Sequence, residues 1–267
     1  VGRHNREAML DAGFDQIYVR PNQKVHRFLA KRFFVERGNP KNAWEAGVNA
    51  TPFQVALNYG INLIFYAEHG ESEYGGRVIH EESTKIKDFS EIVEHLVGDN
   101  AINWVDDAVT ESDLQTYLYP DPDMIRKANL TAYYFGYFNK WSMFENYEYI
   151  KSKIDFRDHP AGRTSGTFTN FDSIDDKMDP LYYYLQYIKF GFGRCVRDAS
   201  RFIQNKHMTR EEGLELVKKY DGEFPQDKFD EILSYLGLSE EKFHHIIDQH
   251  RNPEIWQRDS DVWSLRY

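Results

Sequence analysis

The sequence predicts an α/β fold, a doubly wound parallel sheet with a C-terminal helical appendage, and three features carry that prediction. Helix-like and strand-like segments alternate through the first third. Residues 61–67, Ile-Asn-Leu-Ile-Phe-Tyr-Ala, follow a helix as a near-continuous apolar run, the pattern of a parallel strand covered on both faces. The last third reads as a series of capped helices.

In order, residues 5–12 form a short helix ended by Gly13, and residues 16–19 a strand. Asn22 caps a helix to about residue 36, with Val25, Phe28, Leu29 and Phe33 on its apolar face, and Gly38-Asn39-Pro40 breaks it. A second helix spans 52–59, with Thr51 as cap, Pro52 at the first helical position and Gly60 as stop. The strand at 61–67 follows, and residues 131–138, Thr-Ala-Tyr-Tyr-Phe-Gly-Tyr-Phe, make the next strong strand. Residues 181–190 are apolar on nearly every side and read as a buried helix. Thr209-Arg210-Glu211-Glu212 is a capping box for a helix closed by Asp221-Gly222. Helices near 226–236 and 240–249 follow, the second capped by Ser239. Residues 1–160 thus read as the α/β core and 161–267 as a mainly helical region for substrate or partner.

Composition narrows the function. The chain of 267 residues is 41% hydrophobic and 16% aromatic, enough to bury a core, and no apolar run is long enough to span a bilayer. No membrane insertion and no targeting segment are expected. A single cysteine, Cys195, excludes an internal disulfide and a thiolate-rich zinc site, and fits a reducing cytoplasm. The net charge of −10 without a Lys/Arg block disfavours nucleic acid as a partner, while leaving room for a local basic pocket around a small phosphorylated ligand. Val1 is not a methionine and the chain opens straight into a helix, so an upstream segment is expected in the natural polypeptide.

The segment with most chemistry is Glu68-His69-Gly70-Glu71-Ser72-Glu73-Tyr74-Gly75-Gly76, just past the apolar strand, where open α/β sheets place their ligands. Its carboxylates can hold Mg²⁺ beside phosphates or hold and deprotonate an amine. A solvated acidic loop whose glycines serve only to turn the chain fits the same residues. Phe190-Gly191-Phe192-Gly193-Arg194, followed by Arg197 and Asp198, combines glycine amides at a helix start with two arginines suited to phosphate or carboxylate. The bland alternative is a helix–helix break with surface arginines. Residues 164–176, rich in Thr, Ser, Asn and Asp around two phenylalanines, suit either a sugar-facing loop or a capped turn. The histidines lack metal-ligand spacing, and Cys195, with no matched histidine, reads as a packed thiol. No Walker loop, G-x-S-x-G elbow or S-G-G-x-D-S phosphate loop occurs.

The acidic segment is similar to the G-E-N-G-E-x-E-Y-G-G stretch of the N-acetyl sugar amidotransferases, members of the adenine nucleotide alpha-hydrolase (PP-loop ATPase) superfamily that act in lipopolysaccharide and flagellar sugar biosynthesis. The likeness continues, in order, through Tyr134-Phe135-Gly136-Tyr137-Phe138, Trp141, Glu145-Asn146-Tyr147, Gly166-Thr167-Phe168-Thr169-Asn170 and Asp175-Asp176-Lys177. It is densest at Tyr187-Ile188-Lys189-Phe190-Gly191-Phe192-Gly193-Arg194. It ends with Met208-Thr209-Arg210-Glu211-Glu212, Lys219-Tyr220-Asp221-Gly222 and Arg251-Asn252-Pro253-Glu254-Ile255-Trp256. Ala67 stands where the family usually has Gly and His69 where it has Asn. The family's N-terminal cysteine segment and S-G-G-K-D-S loop have no counterpart in this sequence.

The resemblance implies a sheet of the adenine nucleotide alpha-hydrolase type in which residues 16–19 and 61–67 are the third and fourth strands. The first two strands would fill a slot about 10 Å wide between them. Without them the chain alone is expected to fold poorly or to borrow a partner's strands. The implied reaction uses ATP to adenylate the oxygen of an N-acetyl group on a sugar or nucleotide sugar. Ammonia from a separate glutaminase subunit then displaces AMP and leaves an acetamidino group. In the implied site Glu68, Glu71 and Glu73 are catalytic, Glu71 and Glu73 holding Mg²⁺ or orienting ammonia. His69, Tyr74, Gly75, Gly76, Thr169 and Asn170 face substrate or phosphate. Gly191, Gly193, Lys189, Arg194 and Arg197 meet phosphate or a sugar carboxylate. Two readings compete: an ATP-pyrophosphatase that modifies tRNA, and a catalytically silent subunit that binds a sugar or a partner.

Overall fold

A computed structural model describes residues 1–67, 85–87, 89, 93, 98–260 and 262–266. In chain order the main described elements are α1 (Gly2–Asp11), α2 (Gln23–Arg37), α3 (Asn42–Tyr59), β1 (Leu63–Tyr66), α4 (Pro122–Lys127), β2 (Thr131–Tyr134) and α5 (Phe135–Phe138). They continue with α6 (Met143–Lys151), α7 (Asp179–Phe190), α8 (Arg194–Gln204), α9 (Arg210–Tyr220), α10 (Phe229–Leu236), α11 (Glu240–Gln249), β3 (Trp256–Asp259) and β4 (Val262–Leu265). The fold is mixed α/β and mostly helical, with one small parallel sheet of two strands. No described helix is long and apolar enough to cross a membrane. The chain divides into two compact units.

The α/β unit comprises residues 18–30 and 41–141. β1 and β2 pair in parallel, Leu63 with Thr131 through Tyr66 with Tyr134. One face packs on α3: Phe53 and Ala56 are buried with Leu130 and Ala132, and Ile64 and Tyr66 pack against them. The other face is open, with Leu63 47% and Phe65 51% exposed, so the expected cover on both sides of this strand is not there among the described residues. β2 is shorter than residues 131–138, because the chain turns into the one-turn helix α5 at Phe135. The wider doubly wound sheet is not seen among the described residues.

Two further expectations are corrected. Helix α3 begins at Asn42, so Pro52 lies inside it. Proline lacks the N–H that would bond the carbonyl of Val48. The hydroxyl of Tyr66 reaches this weakened turn, donating to Asn49 O at 3.1 Å and lying 3.5 Å from Val48 O. A distant side chain therefore supports a helix that a local reading starts at the proline. Residues 16–19 are not a strand, because extended residues form one only with a hydrogen-bonded neighbour and no described residue supplies it. Ile17 (50%) and Tyr18 (66%) are exposed accordingly.

The helical unit comprises residues 1–17, 31–40 and 142–267. Its core joins Phe34 to Leu181, Leu185 and Ile188 of α7, Phe229, Ile232 and Leu236 of α10, and Phe243, Ile246 and Ile247 of α11. Each of these helices places apolar residues three and four apart, which makes one buried stripe per helix. Phe34 and Phe243 stack at 5.2 Å. The capping box of α9 forms as expected, Thr209 and Glu212 each bonding the other's backbone amide. The Ser239 hydroxyl accepts from the Lys242 amide to start α11. The hairpin β3–β4 was not anticipated; Trp256 anchors it by donating its indole N–H to Ile188 O at 2.7 Å.

Candidate functional site

The carboxyl end of the parallel pair lies at Tyr66 and Tyr134, the last residues of β1 and β2. Glu68, His69, Glu71, Glu73, Tyr74, Gly75 and Gly76 lie outside the described residues, which resume at Lys85. Among the described residues no group of three His, Cys, Asp or Glu side chains is placed to hold a metal ion.

Residues 85–87 return along the other edge of β2. Tyr134 N donates to Lys85 O, Lys87 N donates to Ala132 O, both at 3.0 Å, and Ile86 bridges Tyr133 in antiparallel fashion. This pairing fixes Lys87, whose side chain the sequence reading passed over. Lys87 is only 7% exposed. Its ammonium donates to the Tyr134 hydroxyl at 3.0 Å and lies 4.9 and 5.2 Å from the ring centroids of Tyr66 and Tyr134. No local signal pointed to it, since the Lys-Ile-Lys alternation at 85–87, read as a strand with one face inward, buries Ile86 and exposes both lysines.

The remaining site candidates lie in the helical unit. Gly191 ends α7 with φ +76°, and a Cβ there would come within 2.8 Å of Ile255 Cγ2. Gly193 precedes α8, and its N–H with those of Cys195 and Val196 is donated to the Asp221 carboxylate at 2.8–3.2 Å. The chain thus supplies its own anion to this helix start, and a ligand anion would have to displace Asp221. Burial raises the pKa of Asp221 above the usual carboxylate value, against the pull of its three amide donors. Lys189 is half-buried, its ammonium 5.6 Å from the Phe190 ring centroid.

Arg194 and Arg197 both turn inward around Asp198, which is fully buried. Asp198 Oδ1 accepts from Arg197 Nε at 3.1 Å, and its Oδ2 accepts from the hydroxyls of Thr167 (2.6 Å) and Thr169 (3.1 Å). Arg197 also donates to Tyr183 and Asp172, at 2.7 and 2.8 Å. Arg194 donates to Asp172 O at 2.6 Å and lies 4.8 Å from the Tyr183 ring centroid. Its Nε and Nη1 make no hydrogen bond, and Asp198 at 3.6 Å compensates them by charge alone. Burial alone would raise the Asp198 pKa. The two guanidinium groups and the Thr167 hydroxyl outweigh burial and hold it below the usual range.

Residues 164–169 therefore form a turn pinned to α8 from within. Thr169 is buried, and half-buried Asn170 accepts the His159 amide on its carbonyl. Cys195 is fully buried, and burial followed by the charges of Asp221 and Asp198 pushes its thiol up to about 12, which keeps it protonated and inert at neutral pH. The structure groups Thr169, Arg194 and Arg197 around one carboxylate and sets Gly193 on another. The partners Asp198, Asp221 and Asp172 are what the sequence reading did not assign.

No curated protein matches the chain. Residues 165–266, which hold this network and the helices that carry it, match the family model described as LPS biosynthesis protein WbpG-like, C-terminal domain.

Proposed function

We propose that the chain acts in lipopolysaccharide biosynthesis as part of an ATP-dependent N-acetyl sugar amidotransferase, and the observation that carries this is the WbpG-like match over residues 165–266. The parallel β1–β2 pair, with the acid-rich segment following β1 directly in sequence, supports a sheet of the adenine nucleotide alpha-hydrolase type.

In this reading the N-acetyl oxygen attacks the α-phosphorus of ATP and pyrophosphate leaves. Ammonia then adds to the activated carbon, loses a proton, and AMP departs with the former acetyl oxygen, so that one oxygen of the sugar is replaced by NH. Glu68, Glu71 and Glu73 orient ammonia and take up its proton, and Glu71 and Glu73 are also the residues that would hold Mg²⁺. His69, Tyr74, Gly75 and Gly76 line the same segment against phosphate or sugar. Ammonia comes from a partner glutaminase. In the helical unit Lys189 and Asn170 reach the substrate, while Thr169, Arg194 and Arg197 hold the turn at 164–169 in shape around Asp198.

The test uses the full-length natural polypeptide with ATP, ammonium chloride and a panel of N-acetylated nucleotide sugars. AMP formation that needs both sugar and ammonium, together with the mass change of one oxygen replaced by NH, is the expected result. Glu71→Gln and Glu73→Gln should each lower turnover by about two orders of magnitude, the usual scale for losing a general base. Absence of AMP with every sugar would overturn the reaction, and unaltered turnover in both variants would overturn the role of the acidic segment.

A further inference from the structure

The proposed reaction leaves one cavity of the α/β unit without a part. It has a volume of about 510 Å³ and lies between the second half of α3, the turn at residues 115–120 and Met124 of α4. Gln54 holds these walls together. Its side-chain amide donates to Gln115 O at 2.8 Å and to Leu118 O at 2.6 Å, which ties the turn to the helix. Both contacts are to backbone carbonyls, so both protons of the amide nitrogen are spent and the amide has a single orientation. Its oxygen accepts from no described residue and is left as a fixed acceptor on the cavity wall.

The rest of the lining is uncharged. Asn58 and Thr116 add an amide and a hydroxyl whose side chains bond no described residue, so both can donate as well as accept. Leu57, Leu118 and Met124 supply apolar wall, and Tyr119 is fixed beside them with its ring centroid 4.8 Å from that of Phe53. Apolar walls with a few placed polar groups are the make-up of a small-molecule site. A phosphate, carboxylate or amine would find no counter-ion in this lining. The spent nitrogen of Gln54 also excludes the paired donor and acceptor contacts by which an amide reads the edge of a nucleobase. An acceptor that cannot donate suits hydroxyl and N–H groups, and the apolar walls suit the C–H face of a ring that carries them.

We propose that this cavity binds the uncharged ring of an N-acetylated hexosamine. Gln54 Oε1 accepts from a ring hydroxyl or the acetamido N–H, and Asn58 and Thr116 bond the remaining hydroxyls. The choice of an amino sugar rests on the proposed function, whereas the site itself rests on the cavity and the Gln54 clasp. Because the clasp is made before any ligand arrives, binding does not have to order Gln54.

The test is a saturation-transfer NMR titration of the full-length natural polypeptide with N-acetylglucosamine, N-acetylgalactosamine and uridine. At least one of the two sugars should bind, and more tightly than uridine. Thr116→Val keeps the shape, removes the hydroxyl and should weaken sugar binding about fivefold, the scale of one neutral hydrogen bond. Met124→Trp, at a position 55% exposed, should block the cavity and abolish sugar binding with an unchanged melting temperature. Should Thr116→Val fail to fold, Met124→Trp decides alone. Sugar binding that survives Met124→Trp lies elsewhere and overturns the proposal, as does binding of uridine alone or of none of the three. AMP formation in the reaction test is a separate readout. A protein that turns over an N-acetylated sugar but fails here keeps the reaction and loses this site. One whose sugar binding is lost in Met124→Trp, yet which forms no AMP, keeps the site and loses the reaction.

Discussion

In the helical unit, buried charge is arranged around Asp198, with two guanidinium groups and two threonine hydroxyls within reach of one carboxylate. In the α/β unit, buried charge is arranged around Lys87, with a phenol and two ring faces beside one ammonium. The first is a core network: opposite charges face each other and the hydroxyls complete the carboxylate's coordination. The second stands at a strand end, with the Tyr134 hydroxyl and the rings of Tyr66 and Tyr134 beside the ammonium. Buried ions that neutralise one another hold a structure in register. Gly-x-Gly-Arg resembles a phosphate grip in sequence, yet its arginine turns inward, and Lys85-Ile86-Lys87 resembles nothing in particular, yet Lys87 is buried.

The sharpest way to break this contrast is Asp198→Asn. It keeps the shape and one acceptor but leaves Arg194 and Arg197 with only Asp172 to balance them. Loss of one partner from a buried ion cluster costs about 3–5 kcal/mol, so denaturant unfolding of the helical unit should shift by that amount. A shift under about 1 kcal/mol would mean that the cluster is wetter than its burial indicates.

Asp221 gives a smaller effect with a pH signature. Asp221→Ala removes the acceptor of three amides and should cost about 2 kcal/mol, while Asp221→Asn should recover most of it. The two buried carboxylates then differ in sign. Asp198 has a lowered folded pKa, so its contribution is complete above its unfolded value of about 3.9 and is lost as pH falls through the folded value. Asp221 has a raised folded pKa, so the folded state gains as pH falls from neutrality towards about 4. The stability gap between the natural protein and Asp221→Asn should therefore widen on acidification over that window, as read by unfolding midpoints at each pH. A constant gap would show that burial does not disfavour the Asp221 charge.

These differences also mark what was legible beforehand. The Thr209–Glu212 box, the Ser239 cap and the stops at Gly60 and Gly191 were readable because each is a transaction among residues within one turn. The start of α3 was not readable, since its proline is tolerated through Tyr66, which no local window around Pro52 contains. Residues 16–19 have strand-forming side chains, yet a strand is a property of two segments. At the candidate site the cations Arg194 and Arg197 were visible, and the four-residue spacing from Arg194 to Asp198 was a signal for an internal pair. Asp221 lies 28 residues beyond the amide of Gly193 that it bonds, and only the fold of α8 on α9 brings them together.

The finest test of the contrast is Tyr66→Phe. The phenol oxygen donates to α3 beside Pro52 and the ring lies under Lys87, so the substitution separates the two roles of one residue. Phenylalanine keeps the ring face for the ammonium and removes the hydrogen bond, leaving the Asn49 carbonyl one donor short. The expected loss is about 1 kcal/mol in the unfolding of the α/β unit. A loss of stability as great as that of Asp198→Asn would mean that the strand end, too, is a closed structural network.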